Sequence, residues 1–226
     1  MEKIKEINGF KHLPFSITEY SPKELKEKVN DFFQLMNARR TVRDISSRPV
    51  NREVISQLMM TASTAPSGAH KQPWVFCAIA DPKVKKSIRK AAEAEEKESY
   101  EGRMSQRWLE DLKPIATTWE KPFLENAPWL IVVFKKIYEL NDDDKQNNYY
   151  VNESVGIACG MLITAIHNAG LVTLTHTPSP MNFLTKILDR PKNERPFLLL
   201  PIGYASKDAY VPDLKRKELA DISIFY

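Results

Sequence analysis

The chain has 226 residues, of which 42% are hydrophobic and 27% charged, and its net charge is 33 − 29 = +4 with neutral histidines. That is enough apolar material for one buried core, which excludes a chain disordered throughout. A mild basic excess suits a small anionic ligand and lacks the strong basic stripe of a nucleic-acid binder.

Residues 1–20 read as irregular, around Gly9 and Pro14, without the apolar run of a signal peptide. Ser21-Pro22-Lys23-Glu24 then predicts a helix start: Ser21 caps, Pro22 suits the first turn, and Glu24 completes a capping box. Leu25, Val29, Phe32, Phe33 and Met36 follow at helical spacing as one apolar face. A second helix is expected from Asn51, with Val54, Ile55, Leu58, Met59 and Ala62 inward. After the turn Ala65-Pro66-Ser67-Gly68-Ala69-His70, residues 74–79 predict a buried strand. Asp81-Pro82 opens another helix, with Val84 and Ile88 inward. Residues 91–121 carry dense charge of both signs and few large apolar groups, so they are expected to form a lid or surface excursion.

Residues 130–134 predict a second buried strand, and 141–148 a polar loop. Residues 152–168 predict a long central helix, apolar on several sides and ended by Gly170, with Gly156 and Gly160 read as points of close helix packing. Its apolar stretch, 155–166, is shorter than the roughly 20 residues a bilayer span needs. Residues 171–174 and 197–200 predict two more strands, and a basic patch, Lys215-Arg216-Lys217, marks the tail. Helices and short strands mix without strict alternation, which favours an α+β sandwich over a doubly wound sheet. No glycine pattern forms a dinucleotide fingerprint or a P-loop. Cys77 and Cys159 lie among apolar neighbours and read as free thiols. His12, His70, His167 and His176 have no metal-ligand spacing. A cytoplasmic chain with no membrane or metal attachment is expected.

Four groups of residues can carry chemistry. Arg39, Arg40 and Arg43 lie within five residues, a spacing that fits a bidentate phosphate site or a solvated charge run. Lys215 and Arg216 lie on a tail able to return to the same place. In Pro66-Ser67-Gly68-Ala69, Gly68 permits a positive φ and a close backbone approach to a ligand, although an ordinary turn has the same composition. Thr173, Thr175 and Thr177 alternate as on one face of a strand, presenting hydroxyls or packing across strands. Glu96 and Tyr100 share a helical face, and Lys121 follows; together they can hold an amino-acid zwitterion or form a solvated face.

In this order the segments resemble a known family. RRTVRDIS (39–46) is similar to the flavin-phosphate segment that opens nitroreductase-fold domains. TAPSGAHKQPW (64–74), EKESYEGRMSQRW (96–108), IACGMLITAIHNAGLVTLTHTP (157–178) and VPDLKRK (211–217) resemble the iodotyrosine deiodinase family of that superfamily. The resemblance covers about residues 35–220. It implies an α-β-α sandwich of nitroreductase type, with a central, mostly antiparallel sheet flanked by helices. It also implies one domain over 1–226, a lid at 91–121, a C-terminal dimerisation arm at 212–226, and a homodimer with FMN at its interface. The implied activity is FMN-dependent reductive dehalogenation of 3-halotyrosines, with electrons from a separate reductant or reductase. Alternatives are a general NAD(P)H-dependent nitroreductase and a flavin-binding protein without turnover. By position, Arg39, Arg40, Thr41, Arg43 and Arg216 fall where the family binds FMN, with the arginines at the phosphate. Pro66, Ser67 and Gly68 fall along the flavin, and Thr175 and Thr177 beside its reactive ring as the catalytic pair. Ala69 falls where a backbone N–H meets the substrate phenolate, and Glu96, Tyr100 and Lys121 on the lid residues that clasp the zwitterion. Animal members usually carry Ser at the position of Thr41, and an N-terminal anchor that this sequence is expected to lack.

Overall fold

A computed structural model describes residues 4–141 and 144–226. The chain divides into two compact units, Met1–Arg39 and Arg40–Tyr226.

The first unit holds a small antiparallel hairpin, β1 (Lys5–Ile7) and β2 (Phe10–His12), where the sequence reads as irregular. Its tip is Asn8-Gly9, both at positive φ, a pairing typical of a two-residue hairpin turn. Helix α1 (Pro22–Ala38) follows. Its expected capping box is present: the Ser21 hydroxyl accepts from the Glu24 N–H while the Glu24 carboxylate accepts from the Ser21 N–H. No residue of α1 is buried.

The second unit is a layered sandwich. Helix α2 (Arg52–Ser63), capped by Asn51, leads to β3 (Trp74–Ile79) and α3 (Pro82–Glu98), and then α4 (Gln106–Leu112) and the short α5 (Phe123–Asn126). Next come β4 (Trp129–Lys136), the hairpin β5 (Tyr138–Asn141) and β6 (Asp144–Asn147), and α6 (Val151–Asn168). The chain closes with β7 (Val172–Thr173), α7 (Asn182–Ile187) and β8 (Glu194–Gly203). The sheet order is β3-β4-β8-β7, and every pairing in it is antiparallel.

Alternation along the two middle strands builds a core on each face. Ile131 and Val133 of β4, with Leu198, Leu200 and Ile202 of β8, pack on Ile55, Leu58 and Ala62 of α2 and Val155, Leu162 and Ile166 of α6. Leu130, Val132 and Phe134, with Leu199, pack on Ile88 and Ala92 of α3, Phe123 and Leu124 of α5, and Leu184 of α7. A strand covered on both faces reads as an unbroken apolar run, which is why Leu-Ile-Val-Val-Phe shows no polar alternation.

Two expectations need correction. The polar stretch expected as a loop at 141–148 holds the end of β5 and all of β6, and the side chains of β6 are exposed; Asp142 and Asp143 lie outside the described residues. Val84 and Ile88 face the core as expected, and Lys85 is buried beside them, its ammonium donating to the carbonyls of Glu125 (3.0 Å) and Ala127 (2.7 Å) at the end of α5. Gly156 and Gly160 are not packing points within the chain: a Cβ at either would meet nothing within 4 Å.

Candidate active site

Residues 40–46 are stitched between the sheet edge and the tail. The Val42 N–H donates to the Thr173 carbonyl (3.3 Å), Ile45 forms a bridge with Ala205, and the Ser206 N–H donates to the Asp44 carbonyl (2.8 Å). The Arg40 guanidinium reaches the Leu214 carbonyl at 3.5 Å, so the basic tail does return to the arginine segment. Arg39 caps the C-terminus of α1 and closes the first unit. Thr41 and Arg43 are half-buried, and Arg216 is exposed on the tail. Burial holds Arg43 below the ordinary guanidinium value. Among the described residues no carboxylate forms an ion pair with it.

The three proposed clasp residues do meet. The Lys121 ammonium lies 3.3 Å from the Glu96 carboxylate, and the two side chains are only 5% and 13% exposed. The ammonium also donates to the Thr118 carbonyl and to the Thr117 hydroxyl (3.3 Å), and sits 5.6 Å from the centre of the Tyr100 ring. The Tyr100 hydroxyl donates to the Thr117 carbonyl at 3.2 Å. The Lys121 N–H is anchored on Glu93 (2.7 Å), which also takes a bond from Arg89 (2.7 Å). Burial lowers the Lys121 pKa against the opposing pull of Glu96, and burial raises the Tyr100 phenol. The solvated-face alternative is therefore wrong for this cluster.

Past Thr173, whose hydroxyl is buried on the Pro201 carbonyl at 2.7 Å, the chain continues extended, with His176 bridged to Leu199. Leu174 and His176 point into the core, leaving Thr175 and Thr177 exposed on the other face. His176 stacks edge-on to Phe123 at 5.7 Å, and its Nε2 is buried without a partner among the described residues. Burial, with Lys121 and Arg43 nearby, pushes its pKa down to about 3.

The Pro66–Ala69 turn stands on the start of α6. The Gly68 N–H donates to the Ser154 hydroxyl (3.3 Å), and the Ser67 hydroxyl accepts from the Gln72 N–H (2.9 Å). A Cβ on Gly68 would lie 2.9 Å from the Tyr149 carbonyl oxygen and from the Tyr150 ring, so glycine is needed for close approach. The positive φ expected at Gly68 falls instead on Ala69 (48°), His70 (54°) and Gln72 (48°). Three non-glycine residues in the left-handed region within four positions store strain of about 1 kcal/mol or more each, and such strain clusters at functional sites. Among the described residues no hydrogen bond joins this turn to the Glu96 cluster. Sequence reasoning missed the strain because none of the three is glycine, and it missed His176 because an isolated histidine carries no spacing signal.

A four-stranded antiparallel sheet between two helical layers defines the class, and residues 36–204 match the nitroreductase family. An iodotyrosine deiodinase of Haliscomenobacter hydrossis is 60% identical over 215 residues, 95% of this chain and 97% of that one. The human iodotyrosine deiodinase 1 is 48% identical over 94% of this chain and 74% of its own length. A crystal structure of an iodotyrosine deiodinase bound to FMN and 3-iodo-L-tyrosine superposes with a TM-score of 0.73 at 30% identity, covering 86% of this chain and 100% of that one. The chain belongs to the nitroreductase family and, within it, to the iodotyrosine deiodinases. No helix among the described residues is long and apolar enough to cross a membrane.

Proposed function

We infer that this protein is an FMN-dependent reductive dehalogenase of 3-halotyrosines. The observation that carries the reading is the buried Glu96–Lys121 pair beside Tyr100. An isolated buried charge costs several kcal/mol, and removing one member of a buried pair costs about 3–5 kcal/mol. A ligand bearing one charge would separate the pair and leave the other member uncompensated. A zwitterion replaces both partners at once, its ammonium on Glu96 and its carboxylate on Lys121, with Tyr100 against either. A broad nitroreductase or a flavin store has no use for such a clasp.

FMN, when bound, supplies two electrons, so that aryl halide, two electrons and one proton give tyrosine and halide. Arg39, Arg40, Arg43 and Arg216, with Thr41, would hold its phosphate; a planar guanidinium fits phosphate oxygens two at a time. Pro66, Ser67 and Gly68 line the flavin, where Gly68 already allows backbone to approach closely. The strained Ala69 N–H receives the substrate phenolate, and the exposed hydroxyls of Thr175 and Thr177 face the flavin ring. Residues 91–121 act as the lid, closing only over a ligand that satisfies both charges and so excluding water.

A homodimer is expected to complete each site across its interface. Two open apolar features support that assembly. Gly156, Ile157 and Gly160 leave one side of α6 uncovered, and Ile222, Ile224, Phe225 and Tyr226 are exposed on the proposed arm at 212–226. The electron donor is a separate reductant or reductase. Free thiols at Cys77 and Cys159 fit a reducing cytoplasm.

The test is ligand discrimination. Glu96→Gln and Lys121→Met are each expected to weaken 3-iodotyrosine binding by about 1.5–3 kcal/mol, the range for hydrogen bonds to charged groups. Turnover of a small nitroaromatic without a zwitterion should change little. Wild-type affinity for 3-iodotyrosine in both variants would overturn the clasp and favour a general nitroreductase.

A further inference from the structure

Helix α3 does not stop at a cap. It widens into a single π turn, residues Ser99–Arg103, closed by a bond from the Met104 N–H to the Ser99 carbonyl at 2.9 Å. Such turns inside or beside α-helices recur at functional sites, because the extra residue re-aims side chains. Here the turn aims two side chains in different directions. Tyr100 goes inward to the Thr117 carbonyl. The Arg103 guanidinium forks: one nitrogen donates at 2.9 Å to the Glu95 carboxylate and at 2.9 Å to the Ser179 carbonyl, and the other bonds the Glu98 carboxylate.

Ser179 lies two residues past Thr177. The His176–Leu199 pair is the last ladder contact before it, and α7 begins only at Asn182. Among the described residues, no other hydrogen bond holds residues 177–180. A single side chain on the lid thus ties down the loop that follows the exposed threonines. Exposed ion pairs contribute little to global stability, with a median near 0–1 kcal/mol. The Arg103 side chain is 42% exposed, so its effect lies in geometry, where a rigid fork fixes two elements against each other.

We propose that Arg103 is a positioning residue that couples lid closure to placement of the Thr175 and Thr177 hydroxyls, so that the substrate clasp and the flavin-facing threonines order together. The proposal rests on the halotyrosine reading above. A ligand that settles Tyr100 and Glu96 settles the same turn that carries Arg103, and Arg103 then draws residues 177–180 into one position. Tight substrate binding and correct hydroxyl placement become one event.

Hydrogen exchange on the FMN-loaded protein, with and without 3-iodotyrosine, tests this in wild type, Arg103→Met and Arg103→Lys. In the wild type the ligand should protect both 96–121 and 174–181. Arg103→Met should keep the lid protection but lose ligand-dependent protection of 174–181 by at least about threefold, the size of one exposed charge contact. Its kcat should fall more than its KM rises, and Arg103→Lys, which keeps a charged donor, should recover part of both. Wild-type protection of 174–181 in Arg103→Met overturns the coupling. So does loss of protection in both segments together with a lowered Tm, which would make Arg103 merely structural. A wild type whose lid is protected while 174–181 is not overturns the coupling alone. A wild type protected in neither segment overturns the halotyrosine reading as well.

Discussion

Strand β4 and helix α1 are both regular and both apolar on a clear repeat, yet they end in opposite environments. Leu130, Ile131, Val132, Val133 and Phe134 are all fully buried between two helical layers. Leu25, Val29, Phe32 and Phe33 of α1 are 55–63% exposed. Helix α6 lies between these extremes, with Val155, Ala158, Leu162 and Ile166 buried and Gly156, Ile157 and Gly160 open. An apolar repeat therefore records that a face needs cover, and only the fold tells whether the same chain supplies it. Among the described residues, one side of α6 and the C-terminal end are open within the second unit, and the apolar face of α1 is not covered within the first.

The largest expected effect is in the covered region. Phe134→Ala should cost about 3–5 kcal/mol in chemical denaturation, because the surrounding layers cannot collapse into the space. A cost under about 1 kcal/mol would mean the β4 core is less tightly held than the contrast requires.

His176 tests the same core by pH. Its ordinary value of 6.5 is pushed down to about 3 in the fold by burial and by Lys121 and Arg43. The unfolded chain takes up this proton near pH 6.5 and the folded chain only near 3, so unfolding gains protons between those values. Stability from this group is complete above about pH 6.5 and falls as pH drops towards 3. By pH 4.5 the loss should reach about 2–3 kcal/mol, and His176→Gln should flatten that part of the curve. An unchanged slope in the variant would remove His176 as the cause.

The open side of α6 should respond in assembly rather than in folding. The Cβ of a Gly156→Leu variant meets no atom within 4 Å among the described residues, and leucine is the better helix former. If a second copy covers that face, the added side chain should weaken the dimer by about 1–3 kcal/mol in sedimentation without lowering the stability of the separate protomer. Unaltered association would place the dimer contact elsewhere.

The smallest effect belongs to α1. Ser21→Ala removes the capping hydroxyl and should cost about 1 kcal/mol, seen as faster exchange of the amides in the first turn.

The capping box, the start of α2 at Asn51, the bounds of β3 and the body of α6 were legible because each depends on neighbours a few residues away. A serine four residues before a helix's first apolar position, or a run of Trp-Val-Phe-Cys-Ala-Ile, states its own geometry. The β5–β6 hairpin was not legible because its strands are joined chiefly by backbone ladder bonds, and the polar side chains of β6 look like a loop. Among the site residues, the arginine segment, the turn, the threonines and the clasp could be named from local strings and a resemblance. The strain at Ala69, His70 and Gln72 could not, since none of the three is glycine, the residue type that signals a positive φ.

By itself, then, the sequence determined the main helices and the strands of the central sheet, the two-faced character of β4 and β8, and the residue types available for phosphate, phenolate and zwitterion. Those follow from short-range sterics, capping and hydrophobic period. Only the tertiary structure decided that Glu96 and Lys121, 25 positions apart, share one buried pocket with Tyr100, that His176 is neutral against Phe123, and that Arg103 reaches Ser179 across 76 positions. The first two owe their strength to the sheet and helical layers that remove water from around the partners, and the third, partly exposed, to the fold bringing distant segments together.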